Sequence, residues 1–149
     1  MVSPRLIVFF ACLILSVAFA LIMGGKPERA GALVVLAMTA LQFALLSLLP
    51  RSYAYVDLAS VVVDLVGLVG FSAIAIFAVR VWPIWAASLQ LLSLTSHFAR
   101  ETDSAVPPLV YVAMKSGPTF LVLLVLFLGT LSHVRRVRRG RLIADWKTW

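Results

Sequence analysis

The sequence predicts an all-α integral membrane protein: a bundle of about five transmembrane helices, amino terminus outside and carboxyl terminus in the cytoplasm. Three observations predict it. Hydrophobic residues make up 62% of the chain and the mean hydropathy is +1.05, whereas soluble domains are roughly 45–50% apolar. The apolar residues come in long blocks rather than in a stripe of helical period, which suits lipid outside and not a large aqueous core. The connections are short: GGKPERAG, PRSYAY, RVWP and ARETDSAVPP.

The first predicted span is 6–23. Arg5, the apolar run and Ala18-Phe19-Ala20 resemble a signal peptide with its cleavage site. The run continues through Leu21–Met23 without a break, and cleavage would put the basic carboxyl terminus outside, so an uncleaved span is expected. Its Cys12, Ser16, Ala20 and Gly24 recur every four residues, a small-residue face for close helix packing. The second span is 31–49, with Gln42 near its middle. The apolar region that follows is too long for one helix, since about 20 residues cross a ~30 Å hydrocarbon core. RVWPIW supplies the break: a proline, an arginine and two tryptophans suit a tight interfacial turn. The region therefore divides into spans 57–79 and 82–98. The last span is 113–133, and Gly117-Pro118 marks either a kink beside Lys115 or the opening turn of that span. Residues 1–134 form the bundle and 135–149 a basic tail containing tryptophan.

Charge sets the orientation. With five spans, Lys26, Arg29, Arg80 and the six basic residues beyond Ser132 share one face, against Arg5, Arg51, Arg100 and Lys115 on the other. The positive-inside rule makes the richer face cytoplasmic. In the tail, Arg135, Arg136, Arg138, Arg139 and Arg141 are expected to meet anionic lipid headgroups. Leu142, Trp146 and Trp149 then fall on one face of an expected surface-lying amphipathic helix, which can anchor the chain or dock a partner.

The polar residues inside the spans are the candidates for chemistry. Asp64 is sixteen residues from Arg80 and His97 fifteen from Trp82, so both lie about 23 Å from the inner boundary. Asp57 shares a face with Asp64 but belongs at the headgroups. Lys115 reaches the outer edge, where its stem can turn toward water or toward Asp64. Gln90 lies two turns from His97, with Ser93 between them. Asp64, His97, Lys115 and Gln90 thus make a candidate intramembrane polar site, either a proton-linked or ligand-binding cavity or hydrogen-bonding glue that fixes helix register. His97 and His133 lie near opposite faces and cannot ligate one haem iron. One cysteine excludes an intrachain disulfide and a multi-thiolate metal site. No phosphate loop, serine elbow or HExxH motif occurs, so no cofactor, metal or catalytic residue is expected, and no nucleic acid.

Two stretches together, GGKPERAGA (24–32) and RVWPIWAASLQLLSLTSHFAR (80–100), resemble a group of small, uncharacterised multi-pass membrane proteins of proteobacterial type. The resemblance implies a bacterial inner membrane. That group has no assigned activity, so no functional residue carries over. Small size and minimal loops lead to an expected accessory or assembly component of a membrane complex, with a membrane-protein partner or a homo-oligomer. The alternative is a small proton-coupled carrier or permeability protein using the polar site near the outer face.

Overall fold

The computed structural model describes residues 4–48, 53–102, 108–141 and 144–148, and within these the side chains other than those of 5, 53–57, 98–102 and 108–116. Five helices account for nearly all of it: α1 (Pro4–Met23), α2 (Lys26–Leu48), α3 (Tyr53–Phe77), α4 (Trp82–Thr102) and α5 (Pro108–Arg138). Among the described residues, four windows are long and apolar enough to cross a membrane: Leu6–Met23, Lys26–Leu48, Leu58–Phe77 and Gly117–Arg138. Of the first, only 22% is buried against protein, so most of its apolar surface needs a lipid neighbour.

Each helix buries one stripe. On α1 it is Leu13, Ser16, Val17 and Ala20, the three-and-four spacing of one helix face. On α2 it is Glu28, Gly31, Ala32, Val35 and Met38. On α4 the pattern is inverted relative to a soluble protein. Gln90, Ser93, Ser96 and His97 are buried, while Ile84, Trp85, Leu91 and Leu92 face out. Polar side chains find partners only inside the bundle when the outside is hydrocarbon.

The helices close into a ring in chain order. α1 packs on α2, α2 on α3, α3 on α4, α4 on α5 and α5 back on α1, while α2 also touches α5 across the middle. Trp82 plugs the end of this ring near the α1–α2 turn. It meets Phe71 edge-on, with centroids 6.3 Å apart, and its indole lies where a methyl at Gly31 or Gly129 would have to go. Both glycines are therefore required for close approach and not for backbone freedom.

The boundaries differ from the sequence expectation in several places. α2 begins at Lys26, not 31, because Gly25 caps it: its carbonyl accepts from Arg29 N at 3.0 Å, and Pro27 sits in the first turn, where no amide is required. Glu28 falls in that first turn. Gly117-Pro118 is not an opening turn, since α5 starts at Pro108 and Pro118 is interior. RVWPIW does divide the long apolar region, since α3 ends at Phe77 and α4 starts at Trp82, but Arg80 and Trp82 are buried in the bundle and of the two tryptophans only Trp85 faces out.

The tail departs most. α5 ends in a Schellman motif: Gly140 takes φ +68°, its amide bonds Val137 O at 3.0 Å, and Arg141 N bonds Arg136 O at 3.1 Å. The chain then turns back instead of continuing as an amphipathic helix. Trp146 forms an isolated antiparallel bridge with Ala78, through Val79 N to Asp145 O at 3.0 Å and Lys147 N to Phe77 O at 2.8 Å. The turn between α3 and α4 offers unpaired backbone groups, and the tail takes them. Leu142 and Trp149 lie outside the described residues.

Candidate functional site

Two polar clusters stand at different levels of the bundle. The first joins α3 to α4. Ser93 Oγ donates to Asp64 Oδ2 at 2.6 Å, and His97 Nε2 lies 3.3 Å from the same oxygen. Ser96 Oγ turns to Ser93 O at 2.6 Å. Asp64, Ser93 and His97 are all buried. Two residues four apart on α4 thus converge on one carboxylate of α3, as their shared helix face permits. The carboxylate sits between the hydroxyl and the imidazole. This order suits holding a charge or a proton.

Gln90 does not join that cluster. It lies a layer toward Trp82, where Nε2 meets Met38 Sδ at 3.8 Å beside Gly67. Gln90 Oε1 is buried and lacks a partner among the described residues. Gln42 is half-buried on α2. The side chains of Lys115 and Asp57 lie outside the described residues, as part of α5 and α3 respectively.

The second cluster, at the tail end, centres on Arg80. Its guanidinium has five N–H groups and each finds an acceptor. Nε donates to Glu28 Oε1 at 3.3 Å, Nη1 to Val79 O at 2.9 Å and Ala144 O at 3.3 Å, and Nη2 to Asp145 Oδ1 at 2.8 Å and His133 Nδ1 at 3.3 Å. One side chain thereby ties α2, the α3–α4 turn, α5 and the tail together. Glu28 is fully buried; its Oε1 also accepts from Trp82 Nε1 at 3.2 Å, and Oε2 has no partner among the described residues. Because an arginine only donates, His133 Nδ1 accepts and the ring proton belongs on Nε2. Gly25 leaves room for this: a methyl there would come within 2.7 Å of His133 Cε1 and 3.0 Å of both Asp145 Oδ1 and Glu28 Oε2.

Sequence reasoning treated Arg80 as an interfacial marker and passed over Glu28 and Asp145. One signal pointed to Glu28. Gly25-Lys26-Pro27-Glu28 reads as a helix start, with proline in the first turn and an acid favoured by the macrodipole. It also continues the four-residue ladder of Ser16, Ala20 and Gly24, all three of which are buried.

Of the tail arginines, Arg135, Arg138, Arg139 and Arg141 are exposed and Arg136 is half-buried, its Nε donating to Ser132 O at 3.2 Å. No group of three or more His, Cys, Asp or Glu among the described residues is arranged to hold a metal ion.

Comparison with protein-family models, with curated proteins and with solved structures finds no match to this chain.

Proposed function

We propose that this protein is an accessory or assembly component of a bacterial inner-membrane complex, built from five spans with the amino terminus outside. The observation that carries the reading is the Arg80 brace. It holds the end of α5 and the tail in one arrangement while Arg135, Arg138, Arg139 and Arg141 stay exposed. A fixed basic surface on a small bundle is suited to positioning a neighbour. The fifth span is α4: Trp82 is level with Phe71 and His97 with Asp64, a run of about 23 Å beside α3. The nine basic residues on the tail side favour the cytoplasm for that face. Native capture from the membrane in mild detergent, read by mass spectrometry, tests the proposal. A stoichiometric membrane partner is expected. Recovery of this chain alone would sink it.

The buried Asp64–His97 contact favours one other reading, a small proton-coupled carrier acting as a homo-oligomer. A carboxylate and an imidazole 3.3 Å apart inside a span can share a proton. In proteoliposomes, Asp64→Asn then abolishes pH-linked flux. Unchanged flux, or none in the parent, rejects the carrier.

A further inference from the structure

A cavity of about 280 Å³ opens at the tail end of the bundle, lined by Arg80, His133, Arg136, Arg141 and Asp145 among others. Its size is just under the ~300–1,000 Å³ of small-molecule sites, enough for a phosphate group and what it is esterified to, not for a lipid chain. We propose that this cavity is an anion site for one phosphate group, taken from a phospholipid headgroup or from a soluble phosphate, and held by Arg136 and Arg141 with His133 beside them.

The argument rests on which donors are already committed. Arg80 has none left, because its N–H groups are used on Glu28, Val79, Ala144, Asp145 and His133. It neutralises rather than binds. Three guanidiniums stand against the two carboxylates of Glu28 and Asp145, so the site keeps a positive excess. That excess belongs to Arg136 and Arg141. Neither has an acidic partner among the described residues, and Arg136 commits only Nε, to Ser132 O. Two planar forks with free N–H groups match a phosphate better than a single lysine would. His133 accepts from Arg80 through Nδ1, which leaves its Nε2–H as a third donor.

A helix carboxyl end repels anions, but here that end is neutralised. The carbonyls of Arg135, Arg136 and Val137 accept from the amides that follow, and that of Ser132 accepts from Arg136. Arg135, Arg138 and Arg139 do not line the cavity. The five tail arginines thus divide into a pair that recognises and three that contribute field alone.

The lipid source rests on the membrane orientation proposed above; the anion chemistry does not. The test uses the full chain in mild detergent and native mass spectrometry, with phosphatidylglycerol, phosphatidylcholine and inorganic phosphate as probes. The parent should retain one phosphatidylglycerol in preference to phosphatidylcholine. Arg136→Gln/Arg141→Gln should weaken that retention by about tenfold or more, while Arg138→Gln/Arg139→Gln, with the same loss of charge, should not. Arg141→Gln alone guards against misfolding, since Arg141 is exposed. Equal weakening in both double variants would mean diffuse attraction and overturn the site. So would absence of binding by either phosphate probe. Inorganic phosphate bound with the same arginine dependence, without lipid retention, would uphold the anion site and assign it a soluble ligand. Failure to capture a partner protein leaves every one of these readings intact.

Discussion

At the scale of single residues, Arg80 decides more than its place in a turn suggests. A buried guanidinium is costly to desolvate, and its removal leaves Glu28 and Asp145 facing each other without a counter-charge. Arg80→Ala should therefore lower stability by about 3–5 kcal/mol, read as a drop in unfolding temperature in detergent. Arg80→Lys keeps the charge but has three N–H donors on one point instead of a planar fork. It should fall between alanine and the parent. A lysine variant as stable as the parent would show that charge alone, and not the set of five bonds, holds this end together. Asp64 is a second buried acid, and it takes Ser93 and His97 of the neighbouring helix as partners.

At the scale of helices, glycine content separates packing from propensity. Alanine is favoured over glycine in a helix interior by up to about 1 kcal/mol. At Gly117 nothing among the described residues lies within 4 Å of an added methyl, so Gly117→Ala should raise the unfolding temperature. At Gly129 the methyl would come within 2.6 Å of Trp82 Cγ. Trp82 would have to leave Phe71 and Glu28, so Gly129→Ala should be destabilising. The same substitution on one helix thus runs in opposite directions, and two melting curves check it; stabilisation at both sites would mean that Trp82 is not fixed. The helices themselves were legible because apolar blocks of membrane length leave little choice. Asp64 and His97 were legible as neighbours because each could be counted from the same turn. Glu28 was not. KPER marks a helix start and Glu28 extends the small-residue ladder, but its burial depends on Arg80, 52 residues away. No local pattern encodes that distance.

At the scale of the whole molecule, the tail behaves as a sixth packing element without being a helix. Its expected role rested on Leu142, Trp146 and Trp149 at helical spacing, but Gly140 stops α5 and the chain returns to Ala78. A spacing pattern indicates which residues would share a face if a helix formed; it cannot show that an open backbone edge elsewhere captures the segment first. Ending the chain at Gly140 removes the acceptors at Ala144 and Asp145. The bundle should remain helical by circular dichroism, with a lower unfolding temperature and faster proteolysis at the α3–α4 turn. No change in either would show that the tail is an ornament of the fold rather than part of it.

The spread of Arg80's five acceptors along the chain also sets a clock. While the protein is being made, Glu28 and Val79 are available as soon as Arg80 has left the ribosome, His133 joins with the last helix, and Ala144 and Asp145 arrive at the end. Until then an arginine sits inside a half-built bundle with donors unmatched. A chain that stops before residue 144 leaves Arg80 without the acceptors at Ala144 and Asp145.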